Sequence, residues 1–238
     1  MSFTKKPFLG SYPFIARDIK TNAMPDHVPL NCPIDDLLGG GLQKRIITQI
    51  YGPPGSGKSN LTLQATINAT KMGKKAVFID PEGSFNTKRI EQIQPSKDVL
   101  DSTVLIEPAS MDEQADAIET ARKVGNLGLV VVDSMVYHYR LELDREEPHK
   151  ANRELGLQMA ALLDIARKKD VPVLVTNQVY TNPENKTIEP VGGDVMRYAS
   201  KVIIELSHAS EHYARLVKSP FMKEGQKVAF KIAGKGVI

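Results

Sequence analysis

Short apolar runs alternate with stretches of helical periodicity through most of the chain. Ile46 to Tyr51 (IITQIY), Lys75 to Asp80 (KAVFID), Leu129 to Asp133 (LVVVD) and Val171 to Thr176 (VPVLVT) have strand length and are mostly apolar. Strands covered on both faces of a parallel sheet take this form. Thr103 to Glu107 reads as a shorter strand. Between these runs, Met111 to Val124 is an amphipathic helical pattern, and Asn152 to Lys169 places Leu155, Met159, Leu162 and Ala166 on one helical face. Strands separated by helices predict βαβ units and an α/β sheet flanked by helices on both sides. The end of the chain differs. Lys201 to Leu206, Tyr213 to Lys218 and Gln226 to Ile232 read as strands without intervening helices, so the mostly parallel sheet is expected to end in an antiparallel C-terminal edge.

Residues 1–27 show neither period. They hold Pro7, Gly10, Pro13 and Pro25 among Phe3, Phe8, Tyr12 and Phe14, and read as an N-terminal extension to a domain spanning 28–238. Val28 to Leu42 predicts a short helix at Ile34 to Leu38, stopped by three glycines that deliver the chain to the first long strand.

That strand runs into the densest chemistry in the sequence, GPPGSGKS followed by a helical stretch reaching Met72. Gly52, Gly57, Lys58 and Ser59 satisfy G-x-x-x-x-G-K-[ST], and the strand before and helix after supply its required context. The glycines let successive N–H groups turn inward around a phosphate, and the helix begins there with its positive end toward the anion. The nucleotide segment comprises Gly52, Pro53, Pro54, Gly55, Ser56, Gly57, Lys58, Ser59 and Asn60. Lys58 is expected to reach the β and γ phosphates of ATP, and Ser59 to ligate Mg²⁺. Leu61, Ala65 and Met72, with Asn68, form the expected buried face of the helix.

Composition adds limits. At 238 residues, with 41% apolar and 25% charged residues, the chain has globular proportions. It has no apolar run long enough to span a bilayer and no secretory pattern at Met1 to Phe14. The single Cys32 cannot form an internal disulfide, and a cytoplasmic, nucleoid-associated location is expected. The net charge of +3 is uneven: Arg197 to Ile238 holds eight Lys or Arg against three Glu, compatible with a polyanionic partner or with an ordinary solvated face.

Ligands of such sheets lie beyond the C-terminal strand ends, which places Glu82, Asp133 and Gln178 together as candidates. Asp133 is expected to hold Mg²⁺, directly or through water, and Glu82 to orient or deprotonate an attacking water. Asp80 is the competing carboxylate, assigned a structural role because it still belongs to its strand. No glutamate follows Asp133, whose successor is Ser134.

GPPGSGKS, FIDPEGSF, LVVVDS and LVTNQV, in this order, with PIDDLLGGGL ahead of them, resemble the ATPase core of the RecA superfamily in its archaeal and eukaryotic recombinase branch. The resemblance spans roughly Val28 to Ile238 and implies a RecA-like P-loop ATPase fold. It implies that the strands beginning at Lys75, Leu129, Val171 and Ile46 lie side by side in that order, and that Gln178 senses the γ phosphate. It departs from full recombinases in three ways. Only 27 residues precede Val28, too few for their DNA-binding domain. Phe14 and Ala16 are wrongly spaced for their subunit-linking Phe-x-x-Ala motif, and Val179 to Gly193, the counterpart of a DNA loop, has Lys186 as its one cation. These departures match the short archaeal paralogues of the branch: weak Mg²⁺-dependent ATPases that bind DNA, single strands above all, and assist a RadA-type recombinase in DNA repair and recombination. Pro81 stands where a Thr is frequent and suits slow hydrolysis. Lys218 in Lys218-Ser219-Pro220 replaces an aspartate that such proteins present to a neighbour's nucleotide, and in a homo-oligomer it is a candidate cation acting in trans. Ser134 to Lys150 corresponds to the first DNA loop, where Tyr137, Tyr139, Arg140 and Arg145 are candidate contacts with bases or phosphates. A KaiC-like signalling ATPase without DNA function is the alternative. A small-molecule phosphotransferase fits less well, because Val179 to Gly193 lacks the arginines of a closing lid.

Overall fold

The computed structural model describes residues 27–143, 148–182, 186–208 and 211–238. The proposed extension before His27 lies outside them, together with the Phe14 and Ala16 spacing read from it, and so does Arg145. β1 (His27–Val28) is followed by α1 (Ile34–Leu38) and β2 (Leu42–Gln43), which pairs with β1. Next come β3 (Ile47–Tyr51), α2 (Lys58–Lys71), β4 (Lys75–Ile79), α3 (Thr87–Ile93), α4 (Lys97–Asp101), β5 (Thr103–Ile106) and α5 (Met111–Lys123). β6 (Leu127–Val132) leads through α6 (Tyr137–Leu143) and α7 (Pro148–Lys169) to β7 (Val173–Asn177). The hairpin of β8 (Val179–Thr181) and β9 (Ile188–Pro190) and the short α8 (Gly193–Ala199) precede β10 (Val202–His208), β11 (His212–Lys218) and β12 (Lys227–Phe230). A last hairpin pairs β13 (Ile232–Ala233) with β14 (Gly236–Val237).

Eight strands form the main sheet in the order β12-β11-β10-β3-β7-β6-β4-β5. Neighbours from β10 to β5 are parallel, and β11 and β12 add the antiparallel edge. The four strands ordered in advance, β4, β6, β7 and β3, are adjacent in that order. The continuous apolar runs divide between the two faces with the strand period. Phe78, Leu129, Val131 and Leu174 pack with α2 on one side. Val77, Ile79, Val130, Val132 and Val173 pack with α5 and α7 on the other.

Several boundaries and roles differ from the sequence expectation. α2 buries every position from Leu61 to Ala69 rather than one face, because the N-terminal segment and the last hairpin cover its outer side. There Gln64 donates from Nε2 to the carbonyls of Leu30 (2.7 Å) and Val237 (3.1 Å) and accepts from the Val237 N–H (2.9 Å). α7 begins at Pro148 rather than near Asn152; proline suits the first helical turn, where its missing N–H has no partner to lose. The expected loop after Asp133 contains α6, and the Val179 to Gly193 segment contains the β8–β9 hairpin. α3, α4 and the β13–β14 hairpin carry no strong periodic signal and were not expected. Among the described residues no helix is long and apolar enough to cross a membrane.

Candidate functional site

The ends of β3, β4, β6 and β7 meet at the start of α2. Gly57 there has φ +105°, open to glycine at little cost, and opens the helix with no side-chain cap on its first N–H groups. At Gly52 the constraint is proximity: a Cβ would sit 2.5 Å from the Leu206 carbonyl oxygen and 2.8 Å from Ser56 Oγ. The loop therefore passes β10 on bare backbone. Ser56 Oγ is fully buried and has no hydrogen-bond partner, so a polar group in the cradle would meet a donor already in place. Lys58 donates from Nζ to the carbonyls of Gly52 (2.8 Å) and Pro53 (3.1 Å). Burial lowers its pKa, against the opposing influence of Asp133 and Glu82, so an added anion would favour its charged form. Asn60 turns its side chain outward and accepts from Arg89 Nε at 2.8 Å. Arg89 also donates to the Ala233 (2.7 Å) and Gly234 (3.1 Å) carbonyls, tying the last hairpin beside the loop.

Asp133, at the end of β6, is 3% exposed. Its Oδ1 accepts from Thr176 Oγ1 at 2.5 Å, and its Oδ2 accepts from Thr62 Oγ1 at 3.1 Å and Ser84 Oγ at 3.4 Å. The Ser59 side chain also bonds to it. Burial raises the Asp133 pKa, the hydroxyls of Thr176, Ser59 and Thr62 oppose that rise, and the charge of Glu82 adds to it. Hard oxygen donors at the head of a helix fit a small divalent cation such as Mg²⁺ beside a polyphosphate. Ser59 and Asp133 would hold it, with Lys58 and the loop N–H groups on the phosphates.

Asp80 lies just past β4 and not in it, yet its role is structural. Oδ1 accepts from Ser84 N (2.9 Å) and Oγ (3.0 Å), and Oδ2 from Phe85 N (2.6 Å). Phe85 packs edge-on against Phe78, with ring centroids 4.9 Å apart. This turn puts Glu82 at an exposed tip facing Asp133. Glu82 Oε1 accepts from Ser134 Oγ at 2.5 Å and from Gln178 Nε2 at 2.6 Å, and Gln178 Oε1 accepts from Arg140 Nη1. Glu82, Asp133, Gln178, Lys58 and Ser59 thus converge as expected of their strand ends. Thr62, Ser84, Ser134 and Thr176 were missed. Thr62 lies three residues beyond Ser59 on the same helix, a spacing that signals a shared face; Ser84 carries no comparable local signal.

The candidate nucleic-acid contacts separate. Tyr137 (37% exposed), Arg140 and Lys186 are at the surface. Tyr139 is a correction: it is 4% exposed, and its hydroxyl donates to Asn152 Oδ1 at 3.0 Å, so it anchors α6 and offers no ring for stacking. Lys218 lies away from this site. β11 pairs His212 with His208 near the loop and Lys218 with Ile203 five residues down the sheet, roughly 17 Å away at strand rise. Its Nζ donates to the carbonyls of Arg197 (2.7 Å) and Ser200 (2.8 Å) at the end of α8. It lines a cleft of about 720 Å³ with Tyr51, Tyr180, Arg197, Tyr198 and Glu224. Burial, then Lys201 and Arg197, lowers its pKa, against a smaller opposing influence of Glu224.

Comparison with known proteins places this geometry. The Rad51 family model matches residues 31–238. The chain is 41% identical over 209 residues to the DNA repair and recombination protein RadB of Methanococcus maripaludis strain C7, covering 86% of this chain and 96% of that protein. It is 39% identical over 224 residues to the RadB of Methanobrevibacter smithii, covering 89% and 95%. A crystal structure of the RadB recombinase superposes with a TM-score of 0.76 at 33% identity, over 88% of this chain and 98% of that one.

The buried carboxylate yields a prediction of stability against pH. Because burial raises the Asp133 pKa, the folded chain keeps that proton to higher pH than the unfolded chain. The charged form therefore costs stability above the folded pKa, and the cost disappears as pH falls through it. In thermal melts without nucleotide, Asp133→Asn is expected to melt above wild type at neutral pH, with the gap closing as pH is lowered. A variant that melts below wild type at neutral pH contradicts this.

Proposed function

This chain belongs to the Rad51 family, and from that membership we propose that it is a slow Mg²⁺-dependent ATPase that binds single-stranded DNA and assists a RadA-type recombinase in repair and recombination. The observation that carries the reading is the meeting of Lys58, Ser59, Asp133, Glu82 and Gln178 at adjacent strand ends. Lys58 and the loop N–H groups hold the phosphates, and Ser59 and Asp133 hold the metal. Mg²⁺ supplies charge neutralisation on the phosphate oxygens. Glu82 orients the attacking water and receives its proton at the carboxylate, and Gln178, one strand away, reads the γ phosphate. Pro81, buried at the base of the turn, supports a low rate by fixing how Glu82 approaches.

The DNA part of the reading draws on the names of the RadB relatives and on exposed Tyr137, Arg140 and Lys186 around the same end of the sheet. Tyr137 offers a base-stacking face, and the cations meet phosphates. The division into an extension over 1–27 and an ATPase domain over 28–238, and a cytoplasmic location on the nucleoid, belong to the same proposal. Lys218 cannot serve its own phosphate loop from the far end of the sheet. In a homo-oligomer it acts on the neighbour's γ phosphate, its cleft receiving the adjacent subunit.

Two experiments follow. Glu82→Gln is expected to bind ATP as wild type does and to lose turnover by roughly 10²-fold or more, the scale of a lost general base; turnover equal to wild type removes Glu82 from the mechanism. Mixing Lys58→Ala with Lys218→Ala subunits is expected to restore part of the activity that each lacks alone. Mixtures no more active than their components would show that Lys218 does not act across subunits.

A further inference from the structure

The contact between Arg140 and Gln178 has a directional consequence. Glu82 and Gln178 are joined by a single amide whose two ends differ in polarity, a donor at Nε2 and an acceptor at Oε1. A carboxylate on one side and a guanidinium on the other leave only one sense satisfied. Nε2 must face Glu82 Oε1, where it lies 2.6 Å away, and Oε1 must face Arg140. With the amide reversed, carbonyl oxygen would face carboxylate and NH₂ would face guanidinium. Ser134 Oγ donates to the same Glu82 oxygen at 2.5 Å, so two donors converge on one atom of the group assigned to water activation.

Arg140 reaches Gln178 from a firmly seated helix. α6 is held by buried His138, whose Nε2 is 2.9 Å from the Pro108 carbonyl oxygen, and by buried Tyr139, bonded to Asn152. Both anchors point inward, which leaves Arg140 and Tyr137 on the outer surface. Arg140 is thus the exposed end of a chain of hydrogen bonds running through Gln178 to Glu82.

We propose that Arg140 is a positioning residue that restrains ATP turnover by locking Gln178 onto Glu82, and that a DNA phosphate drawing Arg140 away releases both side chains. The second clause rests on the DNA reading above; the first stands on the contacts alone. Release frees the Gln178 amide to turn toward the nucleotide and removes one donor from Glu82, whose oxygen is then open to a water proton. The competition is between like partners, because a phosphate oxygen accepts from guanidinium more strongly than a neutral amide oxygen does.

The test measures steady-state ATP turnover of the full chain, first without DNA. Arg140→Ala is expected to raise kcat roughly fivefold, the rate equivalent of one net hydrogen bond, with KM for ATP unchanged because Arg140 does not touch the nucleotide segment. Arg140→Lys, which keeps a cationic donor, is expected to return kcat toward wild type, a rescue that general loosening of α6 would not give. Equal or lower kcat in Arg140→Ala, zero turnover in both included, overturns the restraint. Adding an oligo-dT single strand then tests release: wild type is expected to rise toward the Arg140→Ala rate while the variant does not respond. If the strand fails to bind wild type while Arg140→Ala stays faster, the DNA reading fails and the restraint stands. If the strand binds and accelerates both proteins by the same factor, release through Arg140 is overturned.

Discussion

A carboxylate buried at the junction of several segments has to be surrounded by donors, since an unpaired charge in that position costs several kcal/mol. Asp133 sets that requirement here. Its oxygens are met by Thr62 and Ser59 of α2, Thr176 of β7 and Ser84 of the turn after β4. The residues that keep one charge satisfied are therefore the ones that fix the relative positions of the phosphate loop, the γ-phosphate side of β7 and the turn bearing Glu82. Burial still raises the Asp133 pKa, so the hydroxyls compensate only in part, and a divalent cation with its own ligand sphere would meet the remainder.

Two carboxylates at this end of the sheet have opposite relations to their surroundings. Asp80 spends both oxygens on backbone and side-chain donors of its own turn, which shapes the loop and leaves it nothing for chemistry. Glu82, two residues on, is exposed and held by side chains alone. Side-chain partners exchange more readily than backbone ones. The division of labour between shape and chemistry follows from that difference.

Much of this was legible in the sequence, for identifiable reasons. Strands covered on both faces leave continuous apolar runs, so LVVV and KAVFI announce β6 and β4, and alternate residues of each serve the two cores. The phosphate loop is legible because its glycines and lysine answer to backbone geometry and charge, which leave little choice of residue. What was not legible depends on distant partners. Tyr139 and Tyr137 are alike as letters, and only the packing of α6 against α7 makes one an anchor and the other a surface ring. The full burial of α2 depends on Gln64 catching segments from both ends of the described chain, which no local period records. Arg89 and Arg140 likewise acquire their roles from residues far off in sequence, Ala233 and Gln178.

The account joins an ATP site to a surface that reads a nucleic-acid backbone at the same end of one sheet. Its most direct test is equilibrium binding of a labelled single strand with and without ATP and Mg²⁺, at a low and a higher salt concentration. The account predicts sequence-tolerant binding that weakens as salt rises, as phosphate neutralisation requires, and that changes when ATP and Mg²⁺ are present. Absence of binding at low salt in either nucleotide condition would contradict it and would shift the function of the site to protein partners.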